Sequence, residues 1–406
     1  MSAAALQSLR VRAYTATSAV GRGRAATLAA LRARRSGLRA NDFGPQPVPT
    51  WIGRVEGVEE EPLPKEFAQW ECRNNRLAWM GLAQDEFLSA VASARARHGP
   101  ARVAVLFGTS TSSIGATEEA YRHLGADGAF PEDLRRAIIH TPHSTGDFVQ
   151  HALGLTGYSA TVATACSSSA KVFAQAQRII HAGVADAAVV GGVDSLCDSV
   201  LYGFNSLQLL SPEPCRPFDA KRAGINLSEA AGFALLERAG EGEEGQREGP
   251  WLLGFGESSD AHHMSAPHPE GLSVTRAMRE ALARAGMQAS DIGYINLHGT
   301  ASLKNDEVEA AAIKALFSER VFASSTKGWT GHALGAAGIL EAVITLLALD
   351  AGHLPGTLNT TVLDPVCGPQ IRMDNQDAKV RNALSLSFGF GGSNCVLLFG
   401  QDRPRR

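Results

Sequence analysis

Ser159-Ala160-Thr161-Val162-Ala163-Thr164-Ala165-Cys166-Ser167-Ser168-Ser169-Ala170 is the stretch on which the reading of the whole chain turns. Its first half is small and β-branched, through Thr161, Val162 and Thr164, and predicts a short strand. Beyond Cys166 the apolar period changes. Val172, Phe173, Ala176, Ile179 and Ile180 share one helical face, and Gly183 supplies a stop. Cys166 therefore falls where a strand turns into a helix N-terminus. Unsatisfied N–H groups and positive partial charge there favour a thiolate over a thiol. A lone cysteine in such a turn is more often a small buried hydrophobe; polar groups far downstream tip the balance the other way.

Working outward, the chain alternates strands and helices. Leu9–Tyr14 alternates as a strand, Thr15–Gly23 reads as a Ser/Gly turn region, and Ala25–Arg35 as a helix. Residues 43–65, with several Pro and Gly and Glu59-Glu60-Glu61, read as an irregular surface segment. One helix is expected over residues 73–97, a buried strand over Arg102–Phe107, a helix over Asp147–Leu155 and strands over Asp186–Val193 and Ala230–Glu237. The polar, Gly-rich run Gly240–Gly249 then breaks the composition. After it come Trp251–Glu257 (strand), Ser273–Ala285 (helix), Ile292–Leu297 (strand), Asn305–Phe317 (helix), Ser324–Thr326 (strand), Ala336–Leu349 (helix), and two last strands, Ala383–Phe388 and Asn394–Gly400. Two comparable halves of alternating elements imply an α/β architecture with a duplicated, layered core, divided into residues 1–245 and 246–406.

Composition narrows the function. In 406 residues, 44% are apolar and 19% charged, so the chain is globular. A net charge of -3 argues against a nucleic-acid partner. The six cysteines are far apart with no CxxC pair, which indicates neither zinc nor a disulfide framework and fits a reducing compartment. The Arg-rich, acid-free residues 1–40 superficially resemble a targeting segment, but read better as the first strand–loop–helix. No secretory signal and no apolar run long enough to span a bilayer stand out, so the expected location is the cytoplasm, away from membranes.

Three stretches after predicted strands carry polar groups that need a reason: Cys166, then Asn296-Leu-His298-Gly-Thr300-Ala-Ser302, then Ser325-Thr-Lys327-Gly-Trp-Thr330-Gly-His332. His332 sits at the mouth of an almost wholly apolar helix, where an imidazolium is disfavoured. It should stay neutral and donate a hydrogen bond. A lysine five residues before a buried histidine is hard to dismiss, because an isolated buried ammonium is costly. Cys166, His298 and His332 could in principle bind a metal. Catalytic zinc, however, usually takes two ligands from one short motif, and none does here, so no metal is expected.

TACSSS around Cys166, CRPFD at Cys215–Asp219, HGTAS at His298–Ser302, KGWTGH at Lys327–His332 and FGFGGSN at Phe388–Asn394 together resemble the β-ketoacyl-acyl carrier protein synthases. These are elongating condensing enzymes of fatty-acid and polyketide synthesis. The resemblance runs from Leu9 to Phe399 and implies the thiolase fold, two similar halves in a layered α-β-α-β-α sandwich. The loop TSTSSIG and the run LYGFNSLQLLSPEPCRPFD look more like condensing enzymes of aryl polyene pigment pathways than the housekeeping synthases. The resemblance implies that Cys166 takes an acyl chain from acyl carrier protein as a thioester. Malonyl-carrier protein then loses CO2, and its enolate attacks that thioester. His298 and His332 would stabilise the enolate oxygen, and the N–H groups of Cys166 and Phe390 would form the oxyanion hole. Phe390 would also act as a gate, and Lys327 would orient the site through Glu309. Thr300 and Ser302 would bind the pantetheine arm. Thr111 and His140 fall at acyl-pocket positions, His140 as a wall residue donated by a dimer partner. Arg216, Lys221 and Arg222 would dock the acidic carrier, with Arg135 and Arg136 as lesser candidates. Asn296, Glu341 and Ser385 match positions where some relatives hold a monovalent cation. No cofactor is expected beyond the phosphopantetheine that arrives on the carrier. The chain is expected as a homodimer or as a heterodimer with a related subunit. Departures are Ser302 where the family usually has Thr, and Ser228-Glu-Ala-Ala-Gly232 in place of a glycine-richer GEGAG. The alternatives are a chain-length factor that shapes a pocket without turnover, a thiolase using Cys395 as a second cysteine, an initiating synthase, and a Cys–His hydrolase.

Overall fold

The structure, a computed structural model, describes residues 7–239 and 248–402. The expected division between residues 245 and 246 lies outside the described residues. Ten strands carry the architecture. The first five are β1 (Leu9–Ser18), β2 (Val103–Gly108), β3 (Ser159–Val162), β4 (Ala187–Asp194) and β5 (Ala230–Glu237). The second five are β6 (Glu248–Ser259), β7 (Tyr294–Asn296), β8 (Phe322–Ser324), β9 (Asn382–Gly389) and β10 (Ser393–Asp402).

The two sets are wired alike. Read outward from the middle of the sheet, one side runs β1-β5-β4-β2-β3 and the other β6-β10-β9-β7-β8. In each, the middle strand of the last three is parallel to both neighbours, and the remaining pairs are antiparallel. Antiparallel pairing of β1 with β6, Leu9 opposite Leu252, joins the halves into one continuous sheet.

Among the described helices are α1 (Arg73–Leu82), α2 (Phe87–His98), α3 (Ser144–Ala152), α4 (Ser168–His181), α5 (Asp198–Ser206), α6 (Leu272–Ala285), α7 (Leu303–Leu316) and α8 (Ala337–Ala351). Because successive strand residues face opposite ways, β2 feeds two cores. Val103, Val105 and Phe107 pack with Leu77, Phe87 and Phe148 on the outer side. Ala104 and Leu106 pack with Val172, Phe173 and Ile339 of α4 and α8 on the inner side. Strand β9 does the same in the second half. Leu384 and Leu386 meet α6 and α7, whereas Ala383 joins the α4–α8 layer. The result is the thiolase fold, in five layers with α4 and α8 as the filling.

Several expectations need correcting. The helix over residues 73–97 is two helices, α1 and α2. Asp85 and Glu86 break it with φ of 53° and 58°, where the Asp85 carboxylate accepts from Thr15 Oγ1 and Arg24 N at 2.8 and 2.9 Å. The segment 43–65 contains a short strand, Trp51–Gly53, paired to Leu38–Ala40 and Leu227–Ser228. Helices Ile114–Arg122 and α5 had no expectation at all. One stretch, Leu334–Ala351, is long and apolar enough to span a bilayer, with mean hydropathy 1.8, contrary to the sequence reading. It is 89% buried, because it forms the central layer.

Candidate active site

Cys166 sits in the turn between β3 and α4. Ala165 adopts φ of 51°, a left-handed turn that reverses the chain sharply before the helix. Hydroxyls of the TACSSS run tie the turn: Ser167 Oγ donates to Thr164 O at 2.9 Å, Ser168 Oγ to Ala165 O at 2.6 Å, and Thr164 N donates to Ser168 Oγ at 2.9 Å. The chemistry from the second half arrives at the same place. Cys166 Sγ lies 3.0 Å from His332 Nε2. The rings of His298 and His332 meet edge to face, 5.4 Å between centroids. The ligand-type atoms of Cys166, His298 and His332 all lie within 4.8 Å of one another.

The electrostatics differ from the sequence reading of the thiol. Burial pushes Cys166 up to about 11, although Lys327 and the backbone N–H groups of Phe390 and Cys166 pull the other way. The resting group is therefore a thiol, and the helix end does not outweigh desolvation. Burial holds both histidines well below the usual imidazole range, with Lys327 acting in the same direction. Both are neutral, as expected for His332; burial and Lys327 are the causes, and His332 lies two residues before the helical stretch that starts at Leu334.

Lys327 is placed differently than the resemblance implied. Its ammonium contacts the Glu341 carboxylate and the His298 carbonyl, and lies 3.5 Å from His298 Nδ1. Glu309 is not the primary partner. It receives the N–H groups of His298 and Gly299, each at 2.7 Å, and clamps the loop after β7. Burial pushes Glu309 up to about 8 and Glu341 up to about 7. Glu341 Oε2, Asn296 Oδ1 and Ser385 Oγ are buried acceptors with no hydrogen-bond partner among the described residues. Such a set of hard oxygens suits a monovalent cation.

One cavity of about 360 Å³ brings together Cys166, His298, His332, Thr300, Ser302 and Phe390. Thr300 and Ser302 hydroxyls are 2.9 Å apart. Phe204, Gln208, Asp260 and Asn394 also line it and were missed. Phe204 stacks on Phe390 with centroids 5.6 Å apart. The signal for it lay in the LYGFNSLQLL run, once that run is read as a helix. Thr111 and His140 do not line this cavity. Thr111 Oγ1 donates to Asp194 at 2.6 Å, and the His140 ring lies between Thr117 Oγ1 and Leu134 O, at 2.9 and 2.7 Å. Arg222 is not a docking residue. It is buried, with its guanidinium on Asp364 at 2.6 Å and on the carbonyls of Asp219 and Leu303. Arg216 is half-buried against Glu213, and Lys221 is exposed. Cys395 is buried in the central layer, away from the cavity, which removes the geometric basis for a thiolase-type second cysteine.

A cysteine beside two neutral histidines, set at the carboxyl ends of parallel strands in a duplicated five-layer fold, defines a condensing enzyme of the thiolase superfamily. Residues 76–241 match the family described as "Beta-ketoacyl synthase, N-terminal domain", and residues 251–361 match "Beta-ketoacyl synthase, C-terminal domain". Nodulation protein E of Rhizobium meliloti (strain 1021) is 37% identical over 309 residues, 74% of this chain and 76% of the relative. The "3-oxoacyl-[acyl-carrier-protein] synthase 2" of Staphylococcus aureus is 32% identical over 312 residues, 73% and 77% of the two chains. A solved structure of "Ketosynthase (ApeO) in Complex with its Chain Length Factor (ApeC) from Xenorhabdus doucetiae" superposes with a TM-score of 0.87 at 34% identity, over 99% of this chain and all of that one. The chain belongs to the β-ketoacyl synthase family and is an acyltransferase that condenses acyl groups.

Proposed function

We propose that the chain condenses malonyl-acyl carrier protein with an acyl group held on Cys166, extending a fatty or polyene chain by two carbons. The contact of Cys166 Sγ with His332 Nε2, with His298 beside it in one cavity, carries this reading. The Cys166 sulfur bonds to the acyl carbonyl carbon as the carrier's C–S bond breaks. The carrier leaves as a thiol, taking the proton that Cys166 gives up. The N–H groups of Phe390 and Cys166, which act on the sulfur, would receive the oxyanion. In the second stage the C–C bond to the malonyl carboxylate breaks, CO2 leaves, and the electron pair enters the enolate. His298 and His332, kept neutral, donate hydrogen bonds to the enolate oxygen. The enolate carbon then bonds to the acyl carbon, the C–S bond to Cys166 breaks, and the sulfur takes up a proton from water. Lys327 positions His298 through its carbonyl and Nδ1, and Thr300 and Ser302 receive the pantetheine. The three buried oxygens near Glu341 would hold a monovalent cation that stiffens this corner.

The partner is an acyl carrier protein, approaching over Arg216 and Lys221. The described edge strand β3 and the exposed Ile114, Tyr121, Leu124 and Ile138 suit a second condensing-enzyme subunit. The likeness to the ApeO structure, determined with a chain length factor, supports a heterodimer. Retention of Cys166, His298, His332 and Lys327 makes this chain the catalytic member, working in the cytoplasm. Incubation with malonyl- and acyl-carrier proteins, followed by intact mass and labelled CO2, tests the reading. An acyl adduct on Cys166 and a 3-oxoacyl product are expected. Thioester cleavage without condensation would mean a hydrolase.

A further inference from the structure

His298 and His332 are fixed in different ways. The backbone N–H groups of His298 and the residue after it are clamped by Glu309, and its Nδ1 faces Lys327. His332 Nδ1 is buried and has no partner among the described residues, so no hydrogen bond there sets the ring. Its ring reaches Cys166 Sγ through Nε2 at 3.0 Å, and its backbone is held from two sides. On one side His332 N donates to Asn226 O at 2.7 Å, and Ser228 N donates to His332 O at 3.0 Å. On the other side stands a carboxylate from the opposite half of the molecule.

That carboxylate is Asp194, the last residue of β4, fully buried. Its Oδ1 accepts from Thr109 Oγ1 at 2.7 Å, Ser110 N at 2.9 Å, and Thr111 N and Oγ1, both at 2.6 Å. Its Oδ2 accepts from Ala336 N at 2.8 Å and Ser110 N at 3.1 Å. Ala336 ends the turn that His332 begins. The neighbouring Ser169 Oγ, on α4, donates to Gly335 O and accepts from Ile339 N at 2.9 Å. Gly335 must lack a side chain for this to form, since a Cβ there would lie 2.7 Å from Ser110 N and 2.8 Å from Asp194 Oδ2.

We infer that Asp194 is a positioning residue for His332, docking the turn 332–336 onto the loop after β2 as Glu309 docks the loop of His298. The inference rests on the condensing role proposed for His332. Asp194 touches no reacting atom and acts only through the turn. Misplacing a catalytic group by 1 Å costs on the order of a hundredfold, so loosening this dock falls on the step that needs His332. Asp194→Asn is the direct test. An amide cannot accept on both sides, and its NH2 opposes either Ala336 N–H or the Thr109–Thr111 donors. CO2 release from malonyl-carrier protein should fall at least ~10-fold, whereas acyl loading of Cys166 should change by less than ~3-fold. Gly335→Ala presses on the same dock from the other side and should give the same split; it decides the matter if Asp194→Asn does not fold. Loading and decarboxylation falling in parallel, or neither changing, overturns the inference. A wild-type protein that fails to load or decarboxylate would instead overturn the condensing role itself.

Discussion

The two halves have the same strand order, yet spend the ends of their strands differently. In the first half the ends of β2 and β4 are given to structure: Thr109–Thr111 and Asp194 bind each other. Only the end of β3 carries chemistry, Cys166. In the second half all three equivalent ends line the cavity, with His298 after β7, His332 beyond β8 and Phe390 after β9. The connection also differs. Cys166 lies two residues before α4, whereas residues 325–336 separate β8 from α8 and make room for Lys327 and His332. A duplicated scaffold thus supplies covalent attachment from one copy and preplaced donors from the other. The carboxyl ends of parallel strands are where α/β sheets place ligands.

The sharpest way to break this division is Cys166→Gln. Loading should vanish from the intact-mass spectrum, while malonyl decarboxylation persists because the second half is untouched. Loss of both would mean that the halves do not act separately. Next, His298→Ala and His332→Ala should each lower CO2 release by on the order of a hundredfold, the range for losing one such donor, while still forming the acyl-enzyme. Normal decarboxylation in either variant removes that histidine from the donor set. A third test asks how far the second half's Lys327 tames the first half's thiol. The thiolate is the reactive form, and the thiol stays protonated until about pH 11. Alkylation of Cys166 by iodoacetamide should therefore rise by about tenfold per pH unit from pH 7 to 9. A plateau near neutrality would show that Lys327 and the amide donors outweigh burial. The smallest effect is expected at the surface. Charge reversal at Arg216 and Lys221 should raise KM for carrier-linked substrate a few-fold at low salt and less at high salt. An unchanged KM at low salt moves the docking face elsewhere.

What the sequence disclosed was mostly local. A cysteine between a β-branched run and a helical apolar face is legible because strand, turn and helix are contiguous. His298 and His332 were legible as polar groups just beyond strands. Pairings across the fold were less so. Lys327 meets Glu341 only because α8 runs back between the sheets, although Glu341, a carboxylate set among the apolar residues of that helix, was the available clue. Arg222 looked like part of a basic surface run, but its partner Asp364 lies 142 residues away in the chain. Thr111 looked like a pocket residue, but Asp194 takes its hydroxyl. The break at Asp85 and Glu86 was hidden because apolar spacing continued through it and neither residue is a glycine or proline.

Helix α8 also shapes how the chain is made. It leaves the ribosome only after the whole first half has been synthesised. Until then the inner face of α4, with Val172, Phe173 and Ala176, lacks its second-half covering. A nascent chain that ends before residue 334 shows that face to solvent. One that has just passed residue 351 adds an 18-residue stretch as apolar as a membrane anchor. That interval closes when Asn382–Gly389 and Ser393–Asp402 pair and seal the layer from the far side.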